Sequence, residues 1–219
     1  MMTLSEVEKD FLERINQALE AYAEPGYLSF MWTESELLEP DSQILRLARN
    51  VHEADKVIWG QRAEDPFTGL WSRNVVWEFL KQAIQKSQET DARTTCIVLL
   101  DIDHMKRLND FIGHSEGDNS ILKIAEVLKK HLQPWHFVGR VGGDEFLVVL
   151  NAPLEETRAL MEKIHTEIAA MVFAFEARVT VSISFTQITL EDTFESCLFR
   201  LEDKLHYAKH TRRNDIWVV

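Results

Sequence analysis

Two groups of acidic residues in this chain lie beside apolar stretches, at positions where carboxylates can do chemistry. Asp144 and Glu145 stand side by side in residues 140–150, RVGGDEFLVVL, directly after two glycines. A glycine pair between apolar stretches predicts a tight turn, because glycine reaches backbone angles that are closed to other residues. Asp101 and Asp103 close a second apolar stretch, TTCIVLLDID. Since adjacent like charges repel, the acidic turn requires an explanation.

These acids predict a site for divalent cations. If the strand that ends at Asp101 lies beside the 140–150 hairpin, Asp101 faces Asp144 and Glu145. Three carboxylates at one point are unfavourable unless a cation lies between them, and oxygen ligands of this charge suit Mg²⁺ or Mn²⁺. Two such ions support in-line phosphoryl or nucleotidyl transfer. The alternative is solvated acids at loop ends, which a Gly-Gly-Asp-Glu-Phe sequence in a hairpin turn disfavours.

The elements that must position the acids alternate between strands and helices. TTCIVLLDID is short and continuously apolar, as a buried central strand is. HFVGRV and EFLVVL predict the two strands of a hairpin, and ARVTVSISFTQI alternates like a strand with one buried face. Helices are predicted after the loop DPFTGLWSR, over GDNSILKIAEVLKKHLQ, after Pro153, and over FESCLFRLEDKLHYAKHTRRN. The pattern predicts an α/β sandwich in which helices cover a sheet.

Residues 1–62 differ from the rest and are predicted to be a helical N-terminal segment. Pro25-Gly26 ends a first helix. Along a second helix, apolar residues step by 3, 4, 3 and 4, which is a heptad pattern about two heptads long. This pattern allows two interpretations, a helix packed on its neighbour in the same chain or a short dimer seam. The apolar positions of the second helix are Ile44, Leu47, Val51, Ala54 and Ile58.

Composition narrows the function classes. The net charge of −12 disfavours binding to nucleic acid phosphates. Cys96 and Cys197 form neither a disulfide framework nor a zinc spacing. The N-terminus MMTLSEVEKDF lacks a signal-peptide pattern, and no apolar stretch approaches the length of a membrane span. We therefore expect a cytoplasmic protein without a membrane span and without a nucleic acid partner.

Residues 65–219 resemble the GGDEF domain, the catalytic domain of diguanylate cyclases. GGDEF stands intact at residues 142–146, and DIDHMKRLNDFIGHSEGD at 101–118 matches the family signature after the central strand. DPFTGLWSR resembles the entry motif, with Ser72 in place of the usual Asn. LEDKLHYAKHTRRN resembles the C-terminal helix motif, and VTVSIS places Ser184 where Gly is usual.

The resemblance implies the fold and the reaction. The fold is α/β (α+β), with a central, mostly antiparallel sheet flanked by helices, palm-like as in nucleotidyl cyclases. The domains are then residues 1–62, for dimerisation or signal input, and residues 63–219, the GGDEF domain. Diguanylate cyclases join two GTP molecules into cyclic di-GMP and release pyrophosphate. Because one domain holds one GTP, the resemblance implies a homodimer, and cyclic di-GMP effectors become indirect partners.

The resemblance also assigns the site residues. Two Mg²⁺ (or Mn²⁺) ions per active site are held by Asp101, the Ile102 carbonyl and Asp144, with Glu145 beside them. Asp144 is also the position of the proposed general base, although the residues alone leave open which carboxylate accepts the proton. Lys209 and Arg213, four apart on the last helix, are assigned to phosphates, and either one alone reads as an ordinary surface cation. The N–H groups of His104, Met105 and Lys106 open a helix, which is a natural anion site, and Lys106 adds a catalytic cation.

Guanine is assigned to Asn109 and Asp118, because a carboxylate accepts from the ring N–H and amino group that guanine presents and adenine lacks. His114 lies in the same loop and either contacts substrate or holds the loop. Many relatives also carry an Arg-x-x-Asp product brake upstream of the turn, and Gln133 and His136 stand at those two positions, with Pro134 between them. Gln133 lacks the charge and the five-donor fork of arginine, and a protonated His136 would repel a cation. We therefore expect no product inhibition.

Two other functions stay open on sequence. A catalytically inactive GGDEF domain could act as a nucleotide sensor or a protein-docking module, although no acid of the turn is lost. A nucleotidyl cyclase with a different product is disfavoured by the intact Asn109 and Asp118.

Overall fold

The computed structural model of the protein describes residues 63–89, 95–133 and 136–219. Residues 64–219 form one compact unit. The predictions made for residues 1–62, including the helix break and the heptad seam, lie outside the described residues. No helix in the described part of the chain is both long enough and apolar enough to cross a lipid bilayer.

The sheet has six strands in the order β1-β3-β4-β2-β5-β6. The four central strands pair antiparallel, whereas the edge pairs β1–β3 and β5–β6 are parallel. The predicted mostly antiparallel sheet is therefore confirmed. The strands are β1 Trp71–Ser72, β2 Thr95–Ile102, β3 Phe137–Arg140, β4 Glu145–Asn151, β5 Val181–Gln187 and β6 Ile216–Val218.

Within the described residues, five α-helices flank the sheet, and a short 3-10 helix, Ala174–Glu176, follows the fourth. Side chains of α3 and α4 join one apolar cluster with alternate residues of β2, such as Val98 and Leu100. The intervening residues Ile97 and Leu99 are buried outside that cluster, and α1 and α5 pack on the other side of the strands. The helices are α1 Arg73–Glu89, α2 Met105–Ile112, α3 His114–His131, α4 Leu154–Ala170 and α5 Phe194–Thr211.

The central strands are buried on both faces, and this corrects one prediction. All eight residues of β2 are buried, as its continuous apolar sequence predicts. The first six residues of β5 are also buried, although its alternating sequence predicts only one buried face. The buried hydroxyl groups of this strand have hydrogen-bond partners on neighbouring parts of the chain. The Ser184 hydroxyl donates to the Leu201 carbonyl of α5 at 2.9 Å, which places a hydroxyl inside the helix–sheet interface.

Candidate active site

The acidic turn lies beside the end of the central strand. Asp101 on β2 is directly opposite Glu145 on β4, and the Ile102 N–H donates to the Asp144 carbonyl at 3.1 Å. The hairpin of β3 and β4 forms as the sequence predicts, with the Gly-Gly-Asp segment as its turn. The pairing of β2 with β4 therefore brings Asp101, Asp144 and Glu145 to one edge of the sheet.

Asp101 carries a buried charge that is compensated by a lysine. Its side chain is 5% exposed, and its Oδ2 lies 2.6 Å from the Lys209 ammonium. Burial raises the pKa of Asp101 to about 6, the bond to Lys209 opposes this rise, and the charges of Asp144 and Glu145 add to it. The three carboxylates thus interact electrostatically at this edge.

The side chains at this edge do not form a closed metal site. Within the described residues, no three side chains of His, Cys, Asp or Glu are grouped so that they could hold a metal ion. The cation that contacts Asp101 is the Lys209 ammonium. The donor set nevertheless suits a hard divalent ion, since it consists of carboxylate oxygens, and the charges of Asp144 and Glu145 contribute to the raised pKa of Asp101. A divalent ion at Asp101 would compete with Lys209 for Oδ2.

Asp103 has a different role from Asp101. Its buried carboxylate accepts hydrogen bonds from the Thr180 and Ser182 hydroxyls, both at 2.8 Å, and from the Asn214 N–H at 2.9 Å. These donors come from β5, the residue before it, and the segment after α5. Asp103 therefore ties three parts of the chain together, a structural role that the sequence did not predict.

Lys209 and Arg213 reach the same edge from different parts of the chain. Lys209 lies on α5, but α5 ends at Thr211, so the prediction that Arg213 lies on that helix is wrong. Arg213 follows the helix, and its Nη1 lies 3.6 Å from Asp103 Oδ1. The two cations are thus adjacent to the carboxylates at the end of β2, and each is partly exposed.

Helix α2 begins at the same strand end. His104 precedes it in a left-handed conformation with φ of 57°, and no side chain caps the helix there. The first residues of the helix, Met105 and Lys106, follow directly, and the Lys106 side chain is exposed. A helix N-terminus beside an exposed lysine favours anion binding.

Asn109 is held in a tight contact between α2 and α3. A Cβ at Gly117 would overlap the Asn109 side chain, so glycine is required by the close approach of the two helices. The buried Oδ1 of Asn109 has no hydrogen-bond partner among the described residues. A ligand N–H would satisfy this acceptor. Asp118 and His114 are both exposed. His114 is the first residue of α3, so the prediction that it lies in a loop is wrong.

The turn is braced by an arginine that the sequence did not single out. The Nε and Nη2 of Arg140 donate to the Gly143 carbonyl at 3.2 and 2.7 Å. The reason predicted for the glycine pair is wrong, because neither Gly142 nor Gly143 has a positive φ. Gly142 instead leaves room for the Glu145 carboxylate in its present position, since a Cβ there would overlap that group. A basic residue just before the Gly-Gly pair was the available sequence clue.

The position of the family's product brake is occupied by a buried neutral histidine. His136 is 4% exposed, and burial lowers its pKa to about 4. Its Nδ1 lies 3.4 Å from the Gln133 N–H, while the Gln133 side chain is exposed. The protonated His136 that would repel a cation is therefore disfavoured near neutral pH. Pro134 lies outside the described residues.

The mostly antiparallel sheet, with carboxylates and cations at the end of its central strand, defines an α/β domain with an acidic candidate active site. Residues 62–215 match the family described as "Diguanylate cyclase, GGDEF domain". Because this match covers more than half of the chain, the chain belongs to the GGDEF domain family. The family resemblance of the sequence motifs is thereby confirmed.

Relatives and solved structures agree with this assignment. Diguanylate cyclase DgcP of Pseudomonas aeruginosa is 36% identical over 159 residues, which are 71% of this chain and 24% of that protein. Probable diguanylate cyclase DgcT of Escherichia coli is 33% identical, over 70% of this chain and 35% of that protein. The chain thus spans only a minor part of the length of these relatives. The GGDEF domain of DgcB from Caulobacter crescentus, solved in complex with c-di-GMP, is similar with a TM-score of 0.68 and 26% identity, covering 73% of this chain and 96% of that one.

Proposed function

We propose that this chain is a diguanylate cyclase, which condenses two GTP molecules into cyclic di-GMP and releases pyrophosphate across a homodimer. The observation that carries the proposal is the intact acidic turn of a GGDEF family member, paired in register with the buried Asp101. Catalysis is assigned to residues 63–219, and dimerisation or signal input to residues 1–62.

Asp101, Asp144 and the Ile102 carbonyl would hold two Mg²⁺ or Mn²⁺ ions, with Glu145 beside them. Bound ions would neutralise phosphate charge and make the attacking 3′-hydroxyl more acidic. Asp144 lies in the turn, at the family position of the general base, and would take the proton from that hydroxyl. Arg140 holds the carbonyl of the adjacent Gly143 and so keeps the turn in place for this transfer.

The triphosphate would be bound by cations from two sides of the sheet edge. Lys106 and the N–H groups of His104 and Met105 lie at the start of α2. Lys209 and Arg213 approach from the C-terminal side. Lys209 contacts the Asp101 carboxylate in this structure. When substrate and divalent cations bind, the cations would take the Asp101 carboxylate and Lys209 would contact a phosphate instead.

Guanine would be bound by Asn109 and Asp118, with His114 at the start of the helix that carries Asp118. The buried Asn109 Oδ1 supports this assignment, because guanine brings N–H donors that satisfy it. A base without those donors would leave the acceptor buried and unsatisfied, which costs about 1–3 kcal/mol. The site is therefore expected to prefer GTP to ATP.

The test is nucleotide analysis by chromatography and mass spectrometry after incubation of the full chain with GTP and Mg²⁺. We expect cyclic di-GMP and pyrophosphate from the wild type and neither from Asp144→Asn or Glu145→Gln. Glu126→Gln removes an exposed carboxylate on α3, away from the turn, and serves as the matched control. Asp118→Ala should reduce discrimination between GTP and ATP. GTP binding without any turnover by the wild type would support the inactive nucleotide-sensor alternative instead.

A further inference from the structure

A pair of histidines on α5 has no place in the proposed active site. His206 and His210 are both exposed, and their Nε2 atoms lie 3.1 Å apart. The two rings are 4.4 Å apart between centroids and are tilted by 63°. Residues four apart on a helix lie on one face, so the helix itself holds the two imidazoles together.

The separation of the two nitrogen atoms suits shared coordination of one ion. With the zinc–nitrogen bonds of about 2.0–2.1 Å found in proteins, two nitrogens 3.1 Å apart subtend an angle of about 98° at the metal. This angle lies between the right angle of square-planar or octahedral coordination and the tetrahedral angle. The same geometry also allows one ring N–H to donate to the other ring nitrogen, and the experiment below separates the two cases.

The surroundings of the pair contain one carboxylate and one ammonium group. The histidines line an open groove of about 360 Å³ together with Asp203, Lys204 and Tyr207. Asp203 lies one turn before His206 and offers carboxylate oxygens on the same side of the helix. The Lys204 ammonium lies over the rings of Tyr207 and Trp217, at 5.5 and 5.1 Å from their centroids. The open groove leaves room for water ligands.

We propose that His206 and His210 form a chelating site for a transition-metal ion that prefers imidazole, namely Zn²⁺, Ni²⁺ or Cu²⁺. Water completes the coordination. The described residues contain no ready three-ligand group, so the site is a two-histidine chelate. Its imidazole ligands distinguish it from the carboxylates at the end of β2, which suit Mg²⁺ and Mn²⁺.

Metal at this site would also act on the helix that carries Lys209. An ion bridging His206 and His210 closes one turn of α5 as a cross-link, and Lys209 lies within that turn. The Lys209 side chain extends to Asp101, so the ion stabilises the part of the helix that supplies a cation to the active-site edge. The inference does not depend on the proposed cyclase activity, because binding is measured without GTP.

The test is calorimetric titration of ZnCl₂ into the full chain, with Mg²⁺ present in excess so that it occupies the carboxylates at the end of β2. We expect the wild type to bind one Zn²⁺ ion at this site. His206→Gln and His210→Gln should each lower the Zn²⁺ affinity at least roughly tenfold, because even the loss of a residue that only supports a metal ligand has an effect of that size. Tyr207→Phe, between the two histidines, removes no imidazole and should bind as the wild type does. Glutamine is a good helix former, so the variants keep α5, which melting curves in EDTA would verify.

A second measurement identifies the ligands directly. On addition of Zn²⁺, the ring ¹⁵N resonances of His206 and His210 should shift together at Nε2. Unchanged Zn²⁺ affinity in both glutamine variants, or ring resonances that do not respond to Zn²⁺, would overturn the proposal and assign the 3.1 Å contact to a hydrogen bond between the rings.

Discussion

Asp101 combines a buried charge, a short contact to Lys209 and two acidic neighbours. Burial is the largest cause of its raised pKa, and the lysine offsets that cause only in part. An ion pair taken out of water loses hydration that the pairing does not fully restore. The acid is therefore kept at a cost in stability, which is expected of a residue retained for ligand binding rather than for folding.

This cost predicts a pH dependence of stability in metal-free protein. The folded pKa of Asp101, about 6, lies above its ordinary value of 3.8, so its stabilising contribution is complete below about pH 4 and is lost as the pH rises through 6. The difference amounts to about 3 kcal/mol in the free energy of unfolding. Asp101→Asn removes the titration and should gain stability relative to the wild type as the pH rises from 4 to 7.

Urea unfolding of both proteins in EDTA, at several pH values, measures this difference. Subtracting the wild type cancels the titration of other groups, including His136, whose lowered pKa acts in the opposite direction. A constant difference between variant and wild type across this range would show that the Asp101 carboxylate does not titrate there.

The role of a residue was predictable from the sequence when it follows from the residues next to it in the chain. Acids at the end of a buried strand and in a Gly-Gly turn indicated the edge at which Asp101 and Glu145 meet. The role of Asp103 was not predictable, because its donors Thr180 and Asn214 lie 77 and 111 residues away along the chain. The need for Gly142 was likewise misassigned to backbone conformation, since only the folded turn shows the Glu145 side chain against it.

At the scale of elements, the β3–β4 hairpin positions Asp144 and Glu145 beside the end of β2. Its turn offers two glycines with different surroundings. A Cβ at Gly142 would contact the Glu145 side chain, whereas a Cβ at Gly143 would meet nothing within 4 Å. Neither residue has a positive φ, so alanine meets no left-handed backbone strain at either position.

We therefore expect Gly142→Ala to displace the Glu145 carboxylate and to weaken Mg²⁺ binding roughly tenfold, the size of effect that misplaced support for a ligand commonly has. Gly143→Ala is the matched control and should bind Mg²⁺ as the wild type does. Calorimetric titration with Mg²⁺ in the absence of nucleotide measures both. Equal affinities for the two variants would mean that the position of Glu145 does not affect the cation.

The long elements were predictable and the short ones were not. Continuous apolar sequence identified β2, and helical spacing identified α3, α4 and α5. The edge strands β1 and β6, of two and three residues, have no sequence period to detect and form only because β3 and β5 offer open edges. The burial of both faces of β5 depends on α5, which the strand's own sequence does not contain.

At the scale of the whole molecule, the proposed reaction needs two GTP molecules in facing half-sites. One domain supplies one set of turn acids, so dimerisation is part of the proposed mechanism. The predicted heptad seam from Ile44 to Ile58 lies outside the described residues and is the sequence's best candidate for the dimer contact.

Val51→Asp should place a charge in that seam, lower specific activity and make activity rise with protein concentration. Asn50→Asp adds the same charge one position away from the seam and is the matched control. Activity assays across protein concentrations, together with sedimentation, measure both. If residues 63–219 alone match the full chain at low concentration, the seam is irrelevant to dimerisation.

The final prediction concerns regulation by product. An arginine–aspartate brake needs a forked cation for guanine or phosphate and a carboxylate for guanine N–H groups. This chain offers the exposed amide of Gln133 and the buried His136, whose lowered pKa keeps it neutral near pH 7. Neither supplies a charge, so product should not bind tightly at this position.

GTP turnover should accordingly keep its rate as cyclic di-GMP accumulates. Progress curves started with and without added cyclic di-GMP measure this directly, at GTP concentrations high enough that competition at the active site does not contribute. Gln133→Arg restores the forked cation at an exposed position and should raise product sensitivity, because a guanidinium binds phosphate and guanine oxygens through paired hydrogen bonds. Strong non-competitive inhibition of the wild type by low product concentrations would show that another basic surface supplies the brake, since neither Gln133 nor His136 provides the charge that this inhibition requires.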